Sequence, residues 1–263
     1  MSNSIESLTE DISQKRGDSK VVSGYAAESS EVTIDSNGVL SSSAYDFSAA
    51  DYERIARMAH QRYLYRFIKR AFDISFSLCV IVVFLVPVLL VCLAIYIDDP
   101  HGSPLFFQKR VGRHGHEFTM IKLRSMCVDA EERLAELKGS NEKTGPVFKM
   151  RDDPRITRVG KFIRKTSIDE LPQFINVLLG QMSVVGPRPA LPKEVAEYSL
   201  KDRLRLAVKP GITCLWQTRR NRDSITFDEW VNLDLIYIQK AGVWTDFKII
   251  VQTVGCVLSA QGE

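Results

Sequence analysis

ISFSLCVIVVFLVPVLLVCLAIYI, from Ile74 to Ile97, contains no charged residue. A helix needs about 20 consecutive apolar residues to cross the hydrocarbon core of a bilayer, and core helices of soluble domains are rarely so long and so uniformly apolar. The stretch therefore predicts a membrane helix. Pro87 lies near its middle, where it removes one backbone hydrogen bond and crowds the preceding turn, so we expect a bend there.

Basic residues flank this segment on both sides. They are Arg66, Lys69 and Arg70 before it and Lys109, Arg110 and Arg113 after it. Positive charge marks the cytoplasmic side of a membrane helix, and here both flanks carry it. The charge pattern therefore favours a re-entrant helix that bends at Pro87 and returns to the same face, with a simple span as the alternative. Carbonyl groups freed at the bend need partners from the protein at that depth.

Two further segments precede the membrane helix. Residues 1–50 are rich in Ser, Asp, Glu and Gly without a sustained apolar period, which predicts a disordered tail, because they cannot bury enough surface to offset the entropy of ordering. Residues 51–98 are predicted to hold an interfacial basic helix and then the re-entrant helix. The basic helix mixes aromatic residues with cations and suits a membrane surface with anionic lipid, although a solvated helix has the same pattern.

Residues 99–263 are predicted to form a small cytoplasmic catalytic domain. Strand-like residues 103–111 and 116–126 are separated by the Gly-bearing turn GRHG, which predicts a β-hairpin, and residues 183–192 have the composition of a loop. Helices are predicted near residues 129–139, 174–180, 227–240 and 247–258. The last of them either lies on the membrane or completes the core. The predicted fold class is therefore α+β, mainly helical, with amphipathic membrane-associated helices.

Composition limits the partners. Lys and Arg together number 35 and Asp and Glu 32, so the formal net charge is only +3 and an anionic partner must be recognised by local clusters. No nucleic-acid partner is predicted, and the sequence has no glycine-rich phosphate loop. The five cysteines are odd in number and lack CxxC spacing, which argues against a disulfide framework or a zinc site and fits a reducing compartment.

TSIDELPQF, residues 166–174, places Asp169 next to Glu170. One interpretation is structural, because Ser167 to Glu170 has the S-x-x-E pattern of a helix capping box. The surroundings favour chemistry instead, since cations gathered near a dry membrane surface are costly without an anion. These cations are Arg155, Arg158, Lys161, Arg164 and Lys165 before the pair and Arg188 after it.

The residue types in this cluster suit phosphoryl transfer. Guanidinium groups bind phosphate in a bidentate manner, and prolines on both sides of Arg188 stiffen the loop that presents it. Neighbouring carboxylates on a helix project about 100° apart, so they can take separate tasks. One can attack phosphorus while the other holds Mg²⁺, which neutralises oxygens that would repel an anionic nucleophile.

The motifs together resemble one family. They are KRAFD (69–73), the Pro-broken apolar segment, FTMIKLRSM (118–126), DDPRITRVGKFIRKTSIDELPQFINVLLGQMSVVGPRPAL (152–191) and KPGIT (209–213). In this order they are similar to the motifs of the monotopic polyprenyl-phosphate sugar-phosphate transferases, the phosphoglycosyl transferases that begin bacterial glycan assembly. The resemblance covers roughly residues 66 to 255.

The resemblance implies an activity and a set of site residues. Sugar 1-phosphate would pass from a nucleotide diphosphate sugar, usually a UDP-sugar, to undecaprenyl phosphate with release of UMP, as the first membrane step of exopolysaccharide or other glycan synthesis. Asp169 would be the nucleophile that forms a covalent phosphosugar intermediate, and Glu170 would ligate Mg²⁺. The family's phosphate-binding positions fall on Arg164 and Arg188, and Lys122 and Arg124 match its basic strand.

The resemblance also implies a re-entrant helix with both ends cytoplasmic, in the cell inner membrane, and a homodimer is compatible with it. The sequence departs from the family at two places. Val86 precedes Pro87 where the family has Ser, and CLWQTRRNRD (214–223) replaces a Gly and a Gly-Arg loop after KPGIT. Two other functions stay open: a membrane-anchored anion-binding module without catalysis, and a glycosyltransferase that moves the sugar alone and releases UDP.

Overall fold

A computed structural model describes residues 54–55, 57, 62–137, 150, 152–219 and 225–258. The predicted tail at residues 1–50 and most of the predicted basic helix before residue 62 lie outside these ranges. All of the described residues belong to one compact unit.

The apolar segment and the basic residues just before it form a single helix, α1 (Tyr63–Asp98), which continues through Pro87. Among the described residues it is the one helix long and apolar enough to cross a membrane. Its middle is exposed on all sides, and the exposed apolar side chains there are Val82, Val83, Phe84, Leu85, Val86, Leu89 and Leu90. An apolar surface of this extent suits contact with lipid.

The predicted β-hairpin is confirmed. Strands β1 (Leu105–Val111) and β2 (Glu117–Leu123) pair antiparallel through a short 3₁₀ turn. Arg110 on β1 lies opposite Phe118, which is two side-chain periods from Lys122 along β2. Because successive side chains of a strand alternate between faces, Arg110 and Lys122 share one face of the hairpin.

Three short helices follow the hairpin, and the last two flank the acidic pair in the chain. They are α2 (Ala130–Leu137), α3 (Arg158–Lys165) and α4 (Gln173–Leu178). Helix α3 begins after Thr157, whose hydroxyl oxygen accepts a hydrogen bond from the Gly160 amide at 2.9 Å. A Cβ at Gly160 would lie 2.0 Å from the carbonyl oxygen of Ser125, so only glycine lets α3 approach the chain that follows β2 so closely.

A second two-stranded sheet was not predicted. Strand β3 (Ser183–Val185) pairs in parallel with β4 (Gly211–Thr213), so part of the predicted loop at 183–192 is a strand. Three residues are too few for a periodic signal in the sequence. The segments that contain β3 and β4 also meet closely just after β3, because a Cβ at Gly211 would lie 2.0 Å from the Gly186 amide nitrogen.

Four helices complete the described fold: α5 (Pro192–Ala196), α6 (Leu200–Arg203), α7 (Phe227–Lys240) and α8 (Val243–Leu258). The main core includes Met120 of β2, Val177 of α4, Leu235 of α7 and Ile249 of α8. Helix α8 therefore completes the core, one of its two predicted roles. Its other face is apolar and exposed, with Trp244, Phe247, Val251 and Val254 at helical spacing. The mainly helical fold with one long apolar helix and a small hairpin is confirmed.

Candidate active site

Asp169 and Glu170 lie on a 3₁₀ turn, Ile168–Glu170, between α3 and α4. The predicted capping box at Ser167 is wrong. Ser167 has left-handed backbone angles, φ 56° and ψ 18°, and its side chain makes no capping hydrogen bond. Its amide donates to the Arg164 carbonyl at 3.1 Å, which is the pattern of a residue that ends a helix. Ser167 therefore terminates α3 and turns the chain toward the acidic pair.

The two carboxylates have different environments. Asp169 is buried, with 8% of its surface exposed. The Glu170 carboxylate is more accessible, and its Oε1 accepts a hydrogen bond from Lys122 Nζ at 2.8 Å. Lys122 belongs to β2, so the hairpin supplies a cation that contacts this turn. The structure thus brings together Lys122 and Glu170, two of the predicted site residues.

Arg110 is a further residue of this region that sequence reasoning did not assign to the site. Its Nη1 donates to the Pro189 carbonyl at 2.9 Å, and its Nε and Nη2 donate to Gln108 Oε1. Burial lowers the pKa of Arg110 to about 10, and the charge of Arg188 contributes to this lowering. Nearby carboxylates, including that of Glu170, raise the pKa of Arg110. Side chains alternate between the two faces of a strand, and this alternation along the paired strands β1 and β2 places Arg110 on the same face as Lys122. The alternation is the sequence signal for the position of Arg110.

The other predicted phosphate-binding residues divide into two groups. Arg164 lies in the last turn of α3 next to the acidic turn, and Arg188 lies in the proline-framed loop after β3. Arg124 is different, because its guanidinium forms an ion pair with Asp99 at 2.9 Å and donates to the Asp99 carbonyl. The structure thus places Arg164 just before the acidic turn and Arg188 within electrostatic range of Arg110, and it uses Arg124 to hold the end of α1.

A buried ion pair supports the loop that carries Arg188. Arg205 and Asp234 lie 2.6 Å apart and are almost inaccessible. Arg205 also donates to the Tyr198 hydroxyl at 2.9 Å and to the Arg188 carbonyl at 3.5 Å. Burial raises the pKa of Tyr198 to about 12, so its hydroxyl stays protonated at neutral pH. None of these three residues carries a motif, so the sequence did not predict them.

Cys214, the first residue of the segment that departs from the family pattern after KPGIT, lies near this loop. Cys214 is buried directly after β4, and its amide donates to Gln217 Oε1 at 3.0 Å. Burial raises the pKa of the Cys214 thiol, the charge of Asp234 adds to this, and the charge of Arg188 opposes it. Cys214 is therefore a neutral packing residue within electrostatic range of Arg188. Residues 220–223 of the arginine-rich segment lie outside the described ranges.

The donor set fits a magnesium ion that is only partly held by protein. The described ranges contain no group of three His, Cys, Asp or Glu side chains that could hold a metal alone. Mg²⁺ is commonly bound by one or two carboxylates together with substrate phosphates, and it keeps several waters. The neighbouring carboxylates of Asp169 and Glu170 match that arrangement, with one Glu170 oxygen already engaged by Lys122.

These features define a class of protein. Its members combine, in one compact unit, an apolar helix with a turn that carries two neighbouring carboxylates, and a hairpin and a proline-framed loop supply the cations. Residues 64–260 match the family described as bacterial sugar transferase, and the chain belongs to that family.

Three relatives illustrate the similarity. The chain is 45% identical over 211 residues to the galactosyl transferase CpsE of Streptococcus agalactiae. These 211 residues are 78% of this chain and 45% of that protein. It is 40% identical over 204 residues to the undecaprenyl-phosphate galactose phosphotransferase of Salmonella typhimurium, 75% of this chain and 42% of that protein. It is 33% identical over 199 residues to the exopolysaccharide production protein ExoY of Rhizobium meliloti, 74% of this chain and 87% of that protein. The chain thus spans less than half the length of the first two.

Proposed function

We propose that this protein transfers a sugar 1-phosphate from a UDP-sugar to undecaprenyl phosphate at the cytoplasmic face of the inner membrane. One observation carries the proposal. Buried Asp169 adjoins Glu170 on a 3₁₀ turn, and Lys122 contacts Glu170, in a chain of the bacterial sugar transferase family. A module that only bound anions would gain nothing from two adjacent carboxylates, which repel phosphate.

The reaction proceeds in two displacements at one phosphorus atom. A carboxylate oxygen of Asp169 attacks the sugar-bearing phosphorus of the donor, and the bond from that phosphorus to the UMP oxygen breaks. The phosphate oxygen of undecaprenyl phosphate then attacks the same phosphorus, and the bond to Asp169 breaks. One phosphoanhydride replaces another, so the protein mainly has to position the groups and neutralise charge.

Cations of the site take the charge-neutralising role. Lys122 holds Glu170 in place, and Arg164 and Arg188 supply guanidinium groups for the pyrophosphate oxygens. Arg110 stiffens the loop of Arg188 through its bond to Pro189. A magnesium ion held by Glu170, together with donor phosphates, would lower the repulsion between the Asp169 carboxylate and the anionic donor.

The lipid acceptor requires an apolar surface beside the site. A groove of about 450 Å³ lies between α1 and α3 and is lined by apolar residues, among them Leu90, Ala94 and Phe162, and by Arg158. Helix α3 leads directly to the acidic turn. The groove therefore offers the prenyl chain a path from the membrane helix toward Asp169.

The contacts of α1 support a re-entrant path. Near its start, Asp73 accepts hydrogen bonds from Ser183 and Val184, and at its end Asp98 accepts from the Val159 amide at 3.3 Å. The ends of a spanning helix are separated by a hydrocarbon core of about 30 Å. One domain that binds both ends of α1 is more easily accommodated if both lie on the same face of the membrane.

Turnover can be tested on the full chain in lipid nanodiscs. UDP-galactose is the first donor to try, because galactose occurs in the names of two of the relatives above. We expect UMP release that depends on undecaprenyl phosphate and Mg²⁺, and a radiolabelled sugar phosphate on the protein when the acceptor is omitted. Release of UDP would indicate a glycosyltransferase, and absence of release across a panel of UDP-sugars would leave an anion-binding module.

Topology can be tested separately. A single cysteine replaces Ser103, just after α1, in a background without the five native cysteines. We expect no labelling by a membrane-impermeant maleimide added from the periplasmic side. Strong labelling from that side would show that α1 spans the membrane.

A further inference from the structure

A second cation-rich region lies away from the acidic turn, at the start of α1. A cavity of about 370 Å³ is enclosed by the first turns of α1, by α7 and by the segment before β4. Among the described residues, its lining contains six cations, Arg62, Arg66, Lys69, Arg70, Arg113 and Lys209, but a single carboxylate, that of Asp73. None of the residues of the acidic turn lines it.

Two of these cations bind carbonyl groups at the ends of helices. Arg62 donates to the Gln239 and Ala241 carbonyls at the end of α7. Arg70 donates to the Val177 carbonyl at 2.6 Å and to the Leu178 carbonyl at 2.8 Å at the end of α4. Cations at the carboxyl ends of helices complement the helix dipole, so these arginines fasten α1 to the domain.

Lys69 has a carboxylate partner outside the cavity lining, Asp246, at 2.7 Å. The one carboxylate of the cavity, Asp73, already accepts hydrogen bonds from Ser183 at 3.1 Å and from the Val184 amide at 3.0 Å. Within the described ranges, the remaining cations, Arg66, Arg113 and Lys209, have no acid of their own.

Lys209 shows the imbalance most clearly. It is half-buried, and its ammonium has no hydrogen bond or ion pair within the described part of the chain. Burial lowers the pKa of Lys209, and the charges of Arg70, Arg113 and Arg66 lower it further, against the attraction of Asp73. Burial and the charge of Arg66 also lower the pKa of Arg113, whose Nε makes one bond, to the Ala207 carbonyl. Like charges drawn together in this way are costly unless an anion joins them.

We propose that this cavity binds the phosphate group of an anionic membrane lipid. Four of its cations lie at the start of α1, ahead of the apolar segment, and Tyr63 and Phe67 line it with 74% of their surface exposed. Aromatic residues at such a boundary are typical of the headgroup level of a bilayer. The inference rests on the membrane position of α1 and is independent of the transfer reaction, because the acceptor and donor are not involved.

Lipid retention provides the first test. The full chain is assembled in nanodiscs that contain phosphatidylglycerol and phosphatidylcholine, and retained lipid is counted by native mass spectrometry after release. We expect wild type to retain phosphatidylglycerol in preference to phosphatidylcholine, and R66A and K209A to lose that preference at least tenfold. K109A is the matched control, because Lys109 is an exposed lysine of the hairpin that pairs with Glu117 and does not line the cavity.

Free phosphate provides the second arm. In detergent without lipid, millimolar inorganic phosphate is added and the thermal midpoint is measured for wild type and K209A. Retention of phosphatidylglycerol by wild type that K209A loses supports the lipid site. A phosphate-dependent midpoint in wild type alone, without lipid retention, would overturn the lipid source and identify a soluble phosphate ligand. If neither measurement distinguishes wild type from K209A, the site does not bind phosphate. Turnover by K209A in either case leaves the proposed function intact.

Discussion

The acidic turn and the cavity at the start of α1 both gather cations, but they differ in their acids. Around the turn, Lys122 meets Glu170 at 2.8 Å and Asp169 lies next in the chain. In the cavity, Lys209 has neighbouring arginines and shares only Asp73, which is already hydrogen-bonded. Interleaved acids and cations balance charge in the resting protein, whereas a cation excess is balanced only when an anion arrives.

This difference separates chemistry from binding. The nucleophile and the metal ligand that we propose are both carboxylates, so a phosphoryl-transfer site of this kind needs acids among its cations. A site that only holds phosphate has no use for them. The two regions therefore predict opposite responses when a charged side chain is removed.

Asp169→Asn should have the largest effect. Loss of the nucleophile should lower UMP release by on the order of 10³-fold or more and abolish labelling of the protein by donor sugar phosphate. Phosphatidylglycerol retention should stay at the wild-type level. The measurement is a radiometric assay in nanodiscs with Asp129→Asn as the control, because Asp129 is a surface carboxylate that pairs with Arg133. Wild-type turnover by Asp169→Asn would remove Asp169 from the mechanism.

Glu170→Gln should affect the metal more than the nucleophile. The amide keeps the size of the side chain but loses the charge that attracts Mg²⁺, so the magnesium concentration for half-maximal activity should rise roughly 10–100-fold. A magnesium titration of UMP release measures this shift. Lys122→Met is the companion variant, because it frees the Glu170 oxygen that Lys122 now engages. An unchanged titration in Glu170→Gln would place the metal elsewhere.

Much of the fold follows from local patterns. The hairpin, α2 and α7 were predicted near their observed positions because each has a sustained period and a clear turn or cap, such as Thr226 before α7. The β3–β4 pair was missed because it joins two three-residue segments that are distant in the chain. Long-range pairing of such short strands is decided by packing, and the sequence carries no local signal for it.

Candidate site residues can be predicted where chemistry fixes the residue type. Asp169, Glu170 and Lys122 are predicted because their identities carry the motif, and the structure brings Lys122 into contact with Glu170. Arg124 was assigned to the basic strand together with Lys122, but an ion pair with Asp99 decides its position, and no spacing rule foresees a partner at the end of α1. The capping-box pattern at Ser167 failed because the same residue ends the preceding helix.

Substitutions at Ser167 test the backbone that presents Asp169. A left-handed conformation costs an L-residue roughly 1–2 kcal/mol, and a β-branched side chain is more strained there than serine, so Ser167→Val should lower stability. The midpoint should fall by about 2–4 °C per kcal/mol for a domain of this size. Ser167→Gly accepts positive φ without strain and should match or slightly exceed wild type. Thermal unfolding in detergent measures both, and equal midpoints for Val and Gly would show that the turn relaxes.

The smallest effect should come from the pH dependence of the cavity. Because the pKa of Lys209 is lowered in the folded protein, the unfolded chain binds more protons than the folded one between the lowered value and the ordinary lysine value near 10.5. Stability without phosphate should therefore rise slightly as pH increases through that window. Deprotonation of Lys209 relieves its repulsion from Arg66, Arg70 and Arg113, and the loss of its attraction to Asp73 offsets part of this gain. Lys209→Met should start higher and lack this rise, whereas Lys122→Met should start lower because Glu170 loses its partner. Midpoints measured from pH 7 to 10 in phosphate-free detergent distinguish the two lysines, and a wild-type slope equal to that of Lys209→Met would mean that the cavity cations do not repel one another.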